Sequence, residues 1–270
     1  MIKEAVYYES TRMFHGSLMN IMGTRFGLLL INKNRIESYE VWNNVVFELR
    51  RLDLLFNRFD INSETSKINC EAKHGFMQTS REMMNVLKSC KDYHKRTLGL
   101  FDITLDDISN VLLNEKNCSV AFTKDNVSLD FGGYAKGYAL LKIQDIMNNA
   151  LVEHSFIDFG NSSICGMGHH PYGSAWKVGV KNPYLPNVIL DEIELSDNFL
   201  SISGNSPSYT GHIKHPGSQK LVESRKVISI ISENPLDAEV LSTSFMIANR
   251  KEQELIKENF KIQNIGQYNI

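Results

Sequence analysis

One stretch of the chain, VSLDFGGYAKGYALLKIQDIM from Val127 to Met147, limits what can surround it. It opens as an alternating run with β-branched residues and breaks at Gly132-Gly133. It then places small or apolar residues at Ala135, Ala139, Ile143 and Met147, a helical period. The pattern predicts strand, tight turn, helix. A helix start carries unpaired N–H groups and a partial positive charge, and paired glycines let phosphates approach that backbone closely. Lys136 adds a full positive charge in the first turn. Two readings fit these residues: an anion or nucleotide cradle, and a plain strand-to-helix turn. The spacing is neither GxGxxG nor GxxxxGKS, so it supports neither a Rossmann fold nor a P-loop.

The flanking chain mixes strands and helices without steady β-α-β alternation, which predicts an α+β fold. Phe26–Ile31, Ser119–Thr123, Ser155–Phe159, Trp176–Val180, Ile189–Leu195, Phe199–Ser203 and Lys226–Ser232 read as strands. Ser119–Thr123 is expected to pair with the strand that opens the central stretch, and Ile189–Leu195 with Phe199–Ser203 as a hairpin or meander. A long amphipathic helix is expected over residues 36–59, with Val45, Leu49, Leu52, Leu55, Phe56 and Phe59 on its apolar face. Residues 61–69 (INSETSKIN) read as a polar loop, and residues 105–117 as irregular or weakly helical. Thr79 and Glu82 have capping-box spacing ahead of a second helix. Asn234-Pro235 predicts the N-cap and first position of a last helix.

Composition narrows the function classes. With 29 basic and 31 acidic residues there is no cationic excess to track a phosphate backbone, so nucleic acid is not an expected partner. No apolar run approaches the roughly 20 residues of a membrane span. The first residues lack the apolar core and cleavage site of a signal peptide, so the chain as it stands is expected in the cytoplasm unless an export segment is missing from it. Cys70, Cys90, Cys118 and Cys165 are scattered without a CxxC pair, as expected of reduced, packing thiols. The adjacent His169 and His170 point to opposite faces if extended, a poor arrangement for one metal ion. In the last helix, Glu239 and Thr243 are four apart and share one face. Their oxygens suit magnesium or calcium better than zinc; a solvent-facing stripe, or a threonine bonded to its own helix, would present the same pair.

Six segments in this order resemble the ApbE family of FAD:protein FMN transferases. The family's M-G-T is similar to Met22-Gly23-Thr24, and its D-S-x-x-S-x-x-N to Asn62-Ser63 through Ser66 and Asn69. Its G-x-F-D-P-T resembles Gly99–Thr104, and its L-G-G-x-A-K-G-Y resembles Phe131–Tyr138. Its T-S-G and H-I-x-x-P are similar to Ile202-Ser203-Gly204 and His212–Pro216, and its A-D-A-L-A-T-A to Ala238–Ser244. Glu239 stands where the family has Asp, Asn161-Ser162 where it has Gly-Asp, and Ile103 where it has Pro. Gly217 directly follows Pro216 where the family has T-G.

The resemblance implies one ApbE-like domain over residues 1–270, related to the T-fold. It also implies largely antiparallel sheets with flanking helices and an active site between two halves. It implies magnesium-dependent transfer of FMN from FAD to a Ser or Thr hydroxyl of an acceptor flavoprotein, with release of AMP. The alternatives are FAD pyrophosphatase activity and FAD binding without catalysis. Many members of the family are exported and lipid-anchored. Carried across, the metal ligands are the Ala135 carbonyl and the side chains of Glu239 and Thr243. His212 is the proton acceptor, and Lys136 is counted with it as catalytic and also as a nucleotide contact. Met22, Phe101, Asp102, Thr104, Gly133, Ser203 and Gly204 fall at or beside flavin-nucleotide contacts. The geometric consequence is that the Glu239 and Thr243 side-chain oxygens should lie within reach of one ion at the Ala135 carbonyl, no more than about 4 to 5 Å apart.

Overall fold

A computed structural model of the chain describes residues 2–104, 106–185, 187–207, 213–218 and 220–270. The chain opens with three strands joined by tight turns: β1 (Ile2–Tyr8), β2 (Met13–Ile21) and β3 (Thr24–Ile31). Helix α1 (Arg35–Phe56) starts at a capping box in which Asn34 accepts from the Glu37 amide and Glu37 accepts from the Asn34 amide. It ends at Phe56, short of the expected residue 59, because the Asn57 backbone leaves the helical region. Phe59 therefore lies beyond the helix and is 84% exposed instead of extending the apolar stripe.

The predicted polar loop over residues 61–69 is instead the cap and body of a short helix, α2 (Glu64–Glu71). Ser63 accepts from the Ser66 amide, and Thr65 and Ile68 are buried, so one cap and two inward residues suffice. After β4 (Met77–Gln78), helix α3 (Arg81–Arg96) is capped by Ser80, not Thr79. Glu82 turns away from the cap to meet Arg51 and the Tyr138 hydroxyl. Strands β5 (Val111–Asn114) and β6 (Ser119–Phe122) then form a three-stranded sheet in the order β4-β6-β5.

Here the sequence expectation fails twice. Residues 111–114 are a strand rather than irregular chain. They supply the partner for β6 that had been assigned to residue 127 onward. The segment 127–131 belongs to no sheet. Its backbone is held by side-chain and loop partners: Asn69 bonds the Leu129 amide and carbonyl, and the Asp130 amide donates to the Ile103 carbonyl. The turn at Gly132-Gly133 and helix α4 (Ala135–Asn149) follow as expected.

Strands β7 (His154–Phe159), β8 (Ser163–Met167), β9 (Trp176–Lys181), β10 (Ile189–Leu195), β11 (Asn198–Gly204) and β12 (Lys226–Ser232) lead into α5 (Pro235–Ile247). Helix α6 (Arg250–Lys257) and β13 (Asn264–Asn269) complete the chain. The main sheet has eight strands in the order β1-β2-β3-β7-β8-β11-β12-β13, with every pairing antiparallel. β10 pairs with β9 and not with β11, which lies between β8 and β12. The expected hairpin of β10 and β11 is thus split between two sheets.

Burial explains this division. One face of the main sheet presents Phe14, Leu28, Phe159, Phe199 and Ile228 to α1, α4 and α5. The other presents Ile164, Leu200, Val227 and Ile231 to the β9–β10 ribbon through Trp176, Val178, Ile193 and Leu195. A ribbon with apolar residues on one side must leave the sheet plane to bury them. The α1 layer lies close to β2 because Gly16 sits under Trp42, where a Cβ would come within 2.7 Å of the ring. Cys90 and Cys165 are packed in the interior as expected, but Cys70 is exposed and fills no core position. No helix among the described residues is long and apolar enough to cross a membrane.

Candidate active site

The start of α4, the middle of α5 and the end of the central strand β11 converge on one cleft. Asn234 accepts from the Leu236 amide and Pro235 occupies the first turn, so α5 begins sharply after β12. Helix α5 packs on β11 and β12 and against α4. It is buried on nearly every side, which rules out the solvent-facing stripe as an account of Glu239. The approach of the two helices depends on Gly137. A Cβ there would lie 2.8 Å from both the Glu239 Cβ and the Pro235 carbonyl oxygen. Gly133, in the turn before α4, likewise faces Thr243, whose Oγ1 is 3.5 Å from the position a Cβ would take.

The result is a cleft of about 820 Å³, in the upper part of the roughly 300–1,000 Å³ range of small-molecule sites. It gathers most of the residues singled out in the sequence. Met22, Phe101, Asp102, Gly133, Ala135, Lys136, Ser203, Gly204, Glu239 and Thr243 all line it. Thr104 does not; it is buried in the loop beneath, its hydroxyl and amide both donating to Asp102 Oδ1 at 2.6 and 2.7 Å. His212 lies outside the described residues, although Ile213, Lys214 and Pro216 line the same cleft.

Glu239 is the electrostatic centre of the inner wall. It is 3% exposed, and Lys136 Nζ contacts its Oε1 at 2.5 Å. Oε2 accepts from Ser163 Oγ at 2.6 Å and from Ser201 Oγ at 3.1 Å. A carboxylate only accepts, so both serines commit their single protons to it. Ser242 Oγ lies 2.9 Å from Ser201 Oγ while donating to the Glu239 carbonyl oxygen at 3.1 Å, and Ser203 Oγ lies 2.9 Å from Ser242 Oγ. Ser203 Oγ in turn lies 3.4 Å from Thr243 Oγ1. A line of hydroxyls thus connects the two predicted metal ligands.

The Glu side chain is one methylene longer than Asp, and its placement follows from this neighbourhood. β8 and β11 present small hydroxyl side chains, Ser163 and Ser201, that leave room for the longer chain and satisfy it. The donor set of one carboxylate, one hydroxyl and the nearby Ala135 main chain is all oxygen and fits a hard divalent cation. No cluster of three or more His, Cys, Asp or Glu side chains is present among the described residues. A cation here would therefore draw further ligands from whatever else occupies the cleft.

Asp102 has a different role from Glu239. Besides Thr104, it accepts from the Ile108 amide at 2.9 Å and faces His94 Nδ1 at 3.2 Å. Both oxygens are therefore engaged, holding Thr104, Ile108 and His94. Burial pushes the Asp102 pKa up, but the bonds from His94, Thr104 and Ile108 outweigh it and hold the carboxyl below its ordinary value. The same bond to Asp102 raises the His94 pKa. Asn161, one of the departures from the family pattern, bonds Arg25 together with Asp158, while its neighbour Ser162 lines the cleft.

Sequence reasoning missed the outer wall. Asp53, Asn57, Arg58, Phe59 and Asp130 also line the cleft. Arg58 pairs with Asp130 at 3.4 Å and lies over the Phe59 ring at 4.7 Å. Burial raises the Asp53 pKa, partly offset by bonds from Asn57 and the Met22 amide. The available signal was Phe59 itself, an aromatic residue following a helix-ending Asn in a polar run.

Comparison with known proteins gives a consistent answer. A Klebsiella pneumoniae (strain 342) protein named FAD:protein FMN transferase is 25% identical over 142 residues, covering 49% of this chain and 43% of the relative. The match thus spans less than half of that relative's length. A protein of the same name from Chlamydia muridarum (strain MoPn / Nigg) is 22% identical over 244 residues, 76% of this chain and 74% of the relative. Among solved structures, the flavin transferase ApbE from Vibrio cholerae superposes with a TM-score of 0.79 at 16% identity, covering 99% of this chain and 97% of that one. The ApbE protein from Thermotoga maritima gives 0.77 at 22% identity, with 90% of each chain covered. At these identities the superpositions show a shared fold. The model of the ApbE family matches residues 22–118 and 105–265, and on that match the chain belongs to the ApbE family.

Proposed function

We propose that this chain transfers FMN from FAD to a Ser or Thr hydroxyl of an acceptor flavoprotein, releasing AMP, with magnesium required. The observation that carries the proposal is the meeting of the Gly132-Gly133 turn and Lys136 with Glu239 and Thr243 in one cleft. Such an arrangement suits a pyrophosphate: helix-start amides and an ammonium on one side, hard oxygen ligands on the other. Both curated relatives carry the name FAD:protein FMN transferase.

The reaction divides among these residues as follows. The acceptor hydroxyl oxygen forms a bond to the FMN phosphorus as the bond from that phosphorus to the AMP oxygen breaks. The hydroxyl proton leaves through a base, the role the family resemblance gives to His212, and AMP departs with the bridging oxygen. The α4 start and Lys136 hold the pyrophosphate in line, and phosphoryl transfer depends mainly on such positioning and charge neutralisation. Glu239, Thr243 and the Ala135 carbonyl would hold magnesium, which when bound neutralises charge building on the departing phosphate. Ser163 and Ser201 fix the Glu239 carboxylate in one orientation throughout.

The test is incubation with FAD and a flavin-acceptor domain, with magnesium or with EDTA, read as AMP released and as covalent flavin fluorescence on the acceptor. Magnesium-dependent appearance of both is the expected result. AMP without labelled acceptor would make the chain an FAD pyrophosphatase. FAD binding without AMP would make it a flavin-binding protein.

A further inference from the structure

The Lys136–Glu239 contact has a consequence for the order in which ligands enter, resting on the transferase reading above. We propose that Lys136 is the resident counter-cation of Glu239. It occupies the carboxylate in the nucleotide-free protein and yields it to a divalent cation only when a pyrophosphate is present to take the ammonium.

Three observations support this. First, Oε1 of Glu239 already carries the Lys136 ammonium at 2.5 Å, while Oε2 is filled by Ser163 and Ser201. A divalent cation approaching that oxygen meets a positive charge in a buried setting where screening is weak. Second, the other carboxylates lining the cleft are engaged. Asp102 is tied into its loop, Asp130 pairs with Arg58, and Asp53 accepts from Asn57 and the Met22 amide. Among the described residues none of the three is bonded to Lys136 or Glu239. Third, Lys136 is the more exposed partner. Its side chain is 20% exposed against 4% for Glu239, and it projects from the first turn of α4 on a flexible stem. Released from Glu239, the ammonium would stay beside the start of α4, whose positive end favours an anion, although the Gly132 amide itself donates to Asp130 Oδ1 at 2.8 Å.

Charge balance gives the order. Carboxylate, ammonium and a divalent cation together carry two net positive charges, which an FAD pyrophosphate with its two negative charges cancels. Without the nucleotide, that excess would sit in the buried wall of the cleft. Cation and nucleotide therefore bind with positive coupling, and Lys136 is the residue through which they couple.

The experiment measures binding of Mn2+ by electron paramagnetic resonance on the full chain, with and without ADP as a pyrophosphate that cannot transfer flavin. The proteins are the natural chain, Lys136→Met, Lys136→Gln and the charge-retaining Lys136→Arg. The natural chain and Lys136→Arg should bind Mn2+ weakly alone and more tightly with ADP, beyond the Mn2+ that ADP holds in a protein-free control. Lys136→Met and Lys136→Gln should bind Mn2+ alone about 10- to 100-fold more tightly than the natural chain. They should gain less from ADP. Their melting temperatures should fall in EDTA, because a buried carboxylate loses its partner, and recover with Mn2+ alone. The inference is overturned if both neutral variants bind Mn2+ alone no more tightly than the natural chain while the natural chain still transfers FMN. If the natural chain neither releases AMP from FAD nor binds Mn2+ in the presence of ADP, the transferase reading falls and takes this inference with it.

Discussion

Glu239 is satisfied by groups from three elements: Lys136 from α4, Ser163 from β8 and Ser201 from β11. Each contact does a separable job. Glu239→Gln keeps the length and some hydrogen bonding but removes the charge a hard cation requires. FMN transfer should drop by at least about 100-fold, since even indirect metal-site substitutions reach that range. AMP release at saturating FAD is the measurement. Ser201→Ala leaves the carboxylate in place but lets it rotate, so the magnesium concentration needed for half-maximal rate should rise about 10- to 100-fold. The rate at saturating magnesium should stay near that of the natural chain, and a magnesium titration separates the two quantities. If Ser201 were only a packing residue, stability would change and the magnesium requirement would not.

At the level of elements, the site exists because α4 and α5 lie close enough for the α4 start and the Glu239–Thr243 turn of α5 to face one cleft. Gly137 sets that distance. Gly137→Ala puts a methyl group against α5 backbone, 2.8 Å from the Pro235 carbonyl oxygen and 3.2 Å from the Leu236 Cα. The helices must part. Ala favours the helix over Gly by about 1 kcal/mol, but forced overpacking costs about 1–3 kcal/mol. A net loss of stability in urea unfolding is expected, together with loss of transfer activity, because Glu239 moves with its helix. β-elements show the complementary lesson. The hydrophobic runs of β6, β10 and β11 were legible from their periodicity, yet their partners were not. Each is short enough to pair with several others, and the choice was made by which sheet face had apolar surface left to cover.

Across the whole molecule, the His94–Asp102 pair links stability to pH by joining α3 to the cleft loop. The His94 pKa is raised, so its contribution is complete below about pH 6.5 and is lost as pH rises through the higher folded value. The Asp102 pKa is lowered, so its contribution is complete above about pH 4 and is lost as pH falls through the lower folded value. The pair therefore contributes most between about pH 4 and 6.5. Melting temperature measured across pH should show His94→Asn losing stability in that window and converging with the natural chain at higher pH. The sequence by itself determined the start of α5, the glycine turn ahead of α4, the β12 strand and the residue types of the inner cleft wall. These depend on local caps, periodicity and side-chain chemistry within a few residues. It also carried the six segments that mark the family. Only tertiary structure decided that Ser63 caps a helix inside an apparent loop and that residues 127–131 bond to Asn69 and Ile103 instead of a strand. It alone decided that Lys136 answers Glu239 across 103 residues of chain. Those outcomes depend on which surfaces remain to be buried once the sheet has formed, and on a buried charge finding its partner wherever the fold brings one.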